Sequence, residues 1–220
     1  MATATQPAAT TRDQPVIREI TVADVKAALI KGVDDFRATP THGIYVGIVY
    51  AVMGLIIARV AFHQDLLPLV FPLVAGFALL GPLAALGPYE LSRRREQGLD
   101  SSWWHMLHVA RSPSLPSILV LGAALMVIFL LWLQSALLIH DVTLGRQELT
   151  IAGFAVQILT TPQGWAMILI GNAVGAAFAA LAFALSVVSF PLLLDRKVGV
   201  DVAIGASIRA VVTNPVPMLA

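Results

Sequence analysis

Two apolar runs of the chain are free of charge over lengths that few soluble folds can hide. Leu115–Ile139 and Gly164–Leu194 contain no Asp, Glu, Lys or Arg. Two further runs precede them. Leu66–Gly87 (LLPLVFPLVAGFALLGPLAALG) is also uncharged, and Gly43–Phe62 (GIYVGIVYAVMGLIIARVAF) carries only Arg59, near its end. A helix rises about 1.5 Å per residue, so about 20 residues cross the roughly 30 Å hydrocarbon core of a bilayer. Four transmembrane helices are predicted. The competing reading, buried helices of a large soluble core, requires polar helices to cover them. Of the 220 residues 58% are hydrophobic and 12% charged, against roughly 25% charged in a soluble domain. The cover is missing.

Composition removes several function classes. The net charge of +1 gives no basic surface for nucleic acid, and the absence of cysteine removes disulfides, thiolate zinc sites and iron–sulfur ligation. The N-terminal MATATQPAATTRDQP is polar and has no apolar segment of signal-peptide type. Residues 1–17 are expected to form a flexible tail.

Lys and Arg alternate between connections. Arg12, Arg18, Lys26, Lys31 and Arg37 precede the first span, and Arg59 alone lies near the first turn. Arg93, Arg94, Arg95 and Arg111 occupy the next connection, Arg146 the one at 140–163, and Arg196, Lys197 and Arg209 follow the fourth span. The positive-inside rule places the N-terminus, 88–114 and 195–214 in the cytoplasm, as expected for a multi-pass protein of the bacterial inner membrane.

Each cytoplasmic segment reads as an amphipathic helix ending at a proline corner: RATPTHG at 37–43, ARSPSLP at 110–116 and VTNPVPM at 212–218. In Thr21–Arg37 the apolar residues Val22, Val25, Leu29, Val33 and Phe36 share one helical face, and Thr21 with Asp24 has the spacing of a capping box. Asp100–Arg111 repeats the plan with Trp103, Trp104, Leu107 and Ala110, and Asp201–Val212 with Ile204, Ile208 and Val211. Proline removes a backbone donor and disfavours helix in the residue before it, so it lets an in-plane helix turn into the membrane. PYELSRRREQG and PLLLDRKVG are read as matching exits from the membrane helices. The expected architecture is therefore all-α: a polytopic bundle of hairpins preceded by interfacial helices, in parallel repeats. Unit one is placed at 18–98, with spans about 43–62 and 66–87. Unit two is placed at 99–198, with spans about 115–139 and 164–194. A third unit begins at 199–220, where a fifth span is expected to start, so the sequence reads as truncated.

The stretches GPYELSRRREQG and SFPLLLDR and the NP-containing third corner resemble an uncharacterised bacterial integral-membrane family, domain of unknown function 2189, over about residues 20–220. Some members carry the label of cytochrome c oxidase component. The resemblance implies a membrane protein associated with respiratory chains. It implies no reaction and no site residues.

The residues argue against a catalytic oxidase subunit, which needs several intramembrane histidines. His42, His63, His105, His108 and His140 all fall at helix ends or in connections. His105 and His108 are spaced for one helical face, and His63 and His140 lie near Asp65 and Asp141 on the predicted periplasmic side. Either pair could bind a metal; interfacial histidines are the simpler reading. Glu90 and Glu96 are expected in a solvated turn beside Arg93–Arg95, and no acid is spaced to orient His105 as a base. Ionisable groups at depth mark transport paths, and here Asn172 is the main polar group, with Gln134 and Ser186. It sits beside a small-residue stripe, Gly171, Gly175 and Ala179, and Gly43 with Gly47 forms a second; such stripes serve helix packing. Arg93, Arg94, Arg95, Arg196, Lys197, Trp103 and Trp104 are expected to anchor topology or touch lipid.

No catalytic residue, cofactor or metal is assigned. The expected partners are the lipid bilayer and other integral membrane subunits, and the expected role is an accessory or assembly subunit without enzymatic activity. A small-molecule transporter or channel and a lipid-interacting scaffold are the alternatives. Reporter fusions check the topology: a fusion after Gly98 should report a cytoplasmic position, and one after Gly145 a periplasmic one.

Overall fold

The computed structural model describes residues 15–38, 85–100, 112–145, 151–196 and 198–220, with scattered positions between 44 and 81 and at 102 and 105. Much of the first two expected spans, most of the 37–43 corner and most of the second amphipathic segment lie outside the described residues. So do Gly43, His42, His63, Trp103, Trp104, His108 and Lys197. Eight helices are described: α1 (Val22–Ala38), α2 (Leu86–Glu96), α3 (Leu115–Thr143), α4 (Ile151–Thr160), α5 (Pro162–Ser186), α6 (Ser189–Asp195), α7 (Val200–Thr213) and α8 (Pro215–Leu219). No strand occurs among the described residues.

Helix α3 and the nearly continuous Pro162–Asp195 stretch of α5 and α6 are long and apolar enough to cross a bilayer, and only 28% of the most apolar window of each is buried. A core helix of a soluble protein would be mostly buried. Here Leu119, Val120, Val127, Leu131, Leu169 and Leu181 stand exposed. The buried positions of α3 are Ile118, Leu121, Leu125, Ile128, Trp132, Ala136 and His140. Their three- and four-residue spacing forms one stripe. That stripe meets α5 and α6 in antiparallel order. Ile118 and Leu121 share a cluster with Phe190 and Leu193, while Trp132 stacks on Phe178 with ring centroids 5.9 Å apart.

Trp132 also governs the approach of α5. A Cβ added at Gly175 would lie 2.9 Å from the indole Cη2, and the indole Nε1 donates to the Pro72 carbonyl at 3.1 Å, so the ring is held in place. Gly171 and Gly47 have open space where a side chain would project, and Ala179 is exposed.

The structure fills in what the sequence left open. The 140–163 connection contains helix α4. Its sequence, IAGFAVQILT, is an apolar helix too short to span, and it folds back on α5 at a tight corner. There Thr161 caps α5 by accepting from the Gly164 N–H at 3.0 Å. A Cβ at Gly164 would lie 2.6 Å from the Gln157 carbonyl oxygen. Pro88 and Pro191 do not end helices; each is the third residue of a new one, α2 or α6, where a missing N–H costs nothing. Helix α2 stops instead at Gly98 (φ +67°), with Leu99 N–H bonded to the Arg94 carbonyl and Gly98 N–H to that of Arg95, a Schellman closure.

Helix α7 packs by its small residues. Ala203, Ala206, Ser207 and Ala210 are buried, Ile204 is partly buried and Ile208 is exposed. Small side chains let α7 sit close against α6 and α5. Ser207 then accepts the Val188 N–H at 3.1 Å, a donor freed where α5 breaks into α6.

Gly175→Leu should force the Trp132 ring out of place and lower the stability of detergent-purified protein by about 1–3 kcal/mol, the range for overpacking. Gly171→Ala should leave it unchanged, as read by thermal unfolding of both variants.

Candidate functional site

Polar side chains of the described residues gather at the end of the bundle where α2, α6 and the start of α3 meet. The cluster starts with Glu90. It projects from the buried face of α2, beside Leu86, Gly87 and Leu91. The expected solvated turn is thus corrected: one helical turn of the RRR sequence folds back on this carboxylate. Arg93 binds it as a fork, Nε to Oε2 and Nη2 to Oε1, both at 2.9 Å. Arg94 adds Nε to Oε1 at 3.2 Å and reaches the Asp100 carbonyl with Nη1 at 3.2 Å. The Arg93 guanidinium titrates above its ordinary value, chiefly through its bond to Glu90, with the charges of Glu90 and Asp195 adding and burial opposing. The third arginine turns the other way. Arg95 pairs with Asp35 of α1, which also accepts from the Ser92 hydroxyl.

The entry to α1 is fastened separately. Asn214 is the break between α7 and α8. Its Oδ1 accepts the Ile20 N–H at 2.8 Å, and its Nδ2 donates to the Arg18 and Ala210 carbonyls at 3.1 and 3.2 Å. The amide therefore serves both a corner and a chain segment nearly two hundred residues away. The expected capping box is also present. Asp24 Oδ2 accepts from the Thr21 N–H and hydroxyl at 2.8 and 2.7 Å, while the Asp24 N–H reaches Thr21 Oγ1 at 3.3 Å. The Thr21 hydroxyl bond, then its backbone bond, hold the Asp24 carboxyl below the ordinary aspartate value.

Arg93, Arg94 and Arg95 are thus each paired with a carboxylate. Arg196 is exposed and lies 3.8 Å from its neighbour Asp195. Asn172 lies exposed on α5, its Nδ2 donating to the Ile168 carbonyl at 2.7 Å.

Two histidine surroundings bear on chemistry. Asp100 does approach His105, contrary to expectation: its Oδ2 is 3.7 Å from Nδ1, with Ser102 Oγ between them at 3.1 Å from Asp100 and 3.0 Å from His105. A nucleophilic serine needs the acid on the far ring nitrogen, orienting the base. Here acid and imidazole meet the same hydroxyl from the Nδ1 side. Asp100 also accepts the Ser102 N–H at 3.0 Å. That bond is the main reason its carboxyl titrates low, followed by the Ser102 hydroxyl bond. The trio builds a turn. His140 is buried at the end of α3, 3.5 Å from Asp141 and against Phe154, ring centroids 6.1 Å apart. No cluster of three or more metal-ligating side chains occurs among the described residues.

Glu90→Gln should leave two guanidinium groups short of an anion and cost about 1.5–3 kcal/mol, less than for a fully buried pair because both arginines keep some solvent. Asp35→Ala should cost at most about 1 kcal/mol, yet raise amide exchange over 22–38 selectively. Hydrogen exchange with thermal unfolding separates the two.

No curated protein and no solved structure matches the chain. A family model does: that of the predicted integral membrane proteins called DUF2189 matches residues 70–195, more than half of the chain. The matched stretch holds the α2 arginine cluster and both bilayer-length helices. The chain belongs to this family and is an integral membrane protein.

Proposed function

We propose that this chain is a non-catalytic, multi-pass subunit or assembly partner of a larger complex in the bacterial inner membrane, with its N-terminus in the cytoplasm. Asn172 carries the reading. It lies about 15 Å along α5 from Pro162, near the middle of a bilayer of ordinary thickness, and it is exposed. Its bond to Ile168 leaves most of the carboxamide without a partner among the described residues. An amide facing hydrocarbon is costly, whereas one facing another helix gains a hydrogen bond. Ala173, Ala176 and Ala180 on the same exposed side of α5 let a neighbouring helix come close. The respiratory association rests only on the label that some family members carry.

Extraction of the full-length protein from native membranes in mild detergent, followed by a native gel, a haem spectrum and mass spectrometry, tests this. The expected result is a large species holding other integral membrane subunits in fixed ratio. Asn172→Leu with Ala176→Leu should lose that species without lowering the thermal stability of the purified chain. A small, haem-free species with no stoichiometric partner overturns the proposal, and one that also binds an exchangeable solute replaces it with transport.

A further inference from the structure

Helix α1 buries none of its residues, although it is held to the bundle at two points. At 3.6 residues per turn, Val22, Val25, Leu29, Val33 and Phe36 fall within an arc of about 80°. Leu29 is 65% exposed and Phe36 55%. Asp24, Lys31, Asp34 and Asp35 fall on the opposite side, and it is this side that meets α2, through Asp35 with Arg95 and Ser92. The docking is inverted relative to a soluble protein: the polar face is fastened inward and the apolar face turned out.

Two further observations identify what covers that face. The first is charge placement. Lys26 and Arg37 lie along one margin of the apolar arc, and Asp35, on the opposite side of the helix, is met by Arg95. Cations at the edge of an apolar helical face, with acids kept away, suit anionic headgroups, their stems lying along the apolar surface. The second is level. The anchors of α1 are α2 and Asn214. Helix α2 packs its Leu86 into one cluster with Ile118 at the start of α3 and Leu193 at the end of α6. Those are the points where the bilayer-length helices leave the hydrocarbon.

We propose that α1 lies in the interfacial layer of the bilayer, with Val22, Val25, Leu29, Val33 and Phe36 among the lipid chains and Lys26 and Arg37 on anionic headgroups. The Asp35–Arg95 pair and the Asn214 fork hold it at that level. The inference stands apart from the partner helix assigned to Asn172.

The chain has no cysteine, so single-cysteine variants need no altered background. Leu29→Cys, Val33→Cys, Asp34→Cys and Val127→Cys, each spin-labelled and reconstituted as full-length protein into phosphatidylethanolamine–phosphatidylglycerol vesicles, report access of oxygen and of a water-soluble nickel chelate. Val127 on the exposed side of α3 is the lipid reference. Labels at Leu29 and Val33 should favour oxygen as the Val127 label does, and the Asp34 label the chelate, with ratios several-fold apart. Lys26→Gln with Arg37→Gln should reduce that contrast in vesicles rich in phosphatidylglycerol. If the chelate reaches Leu29 and Val33 as readily as Asp34, α1 lies in water and the proposal fails. If both reagents are excluded there, the face is covered by protein and it fails as well. A Val127 label open to the chelate would overturn the membrane placement of α3 itself, a separate failure.

Discussion

The seating of Trp132 against Gly175 is the contact on which the described structure depends. In a bilayer, apolar burial does not drive two apolar helices together, because lipid tails are as apolar as leucine; close packing must do it. A large ring on α3 facing a residue without a side chain on α5 gives that closeness, and the indole N–H finds the Pro72 carbonyl rather than remaining unpaired. With the two helices fixed at this depth, Ile118 and Leu121 come level with Phe190 and Leu193 at one end. At the other end α4 folds back over the corner at Gly164.

Satisfying polar groups explains the rest of the architecture. The break between α5 and α6 frees the Val188 N–H, and Ser207 of α7 takes it. Asn214, at the next break, secures the segment before α1. Glu90 gathers Arg93 and Arg94 while Arg95 holds α1 through Asp35. The Val188 N–H and Asn214 sit at helix breaks, where the backbone has spare donors and acceptors. The Glu90 cluster lies where α2, α6 and the start of α3 meet, and it holds paired charges.

Local order was readable before any tertiary structure. The capping box at Thr21 and Asp24 and the apolar arc of α1 follow from spacing alone, since helical periodicity is a property of neighbours in sequence. The proline-bearing exits were read only as exits, and in the structure Pro88 and Pro191 sit in the first turns of α2 and α6. Which face of α7 turns inward was not readable, because close approach selects the small Ala203, Ala206 and Ala210 rather than the most hydrophobic residues. Helix α4 was left within a connection because ten apolar residues are too few to span.

By itself the sequence determined the helical, membrane-embedded character of the chain. Uncharged length and periodicity are written residue by residue, and the bilayer acts on them wherever the helices come to lie. Only tertiary structure decided which glycine faces a ring, which carboxylate each arginine takes and which way α1 turns its apolar face. Gly171 and Gly175 look alike in sequence, and Arg93, Arg94 and Arg95 are three identical side chains in a row. Rotation about a helix axis separates them, and that rotation is set by the partner helix, which lies far away in sequence.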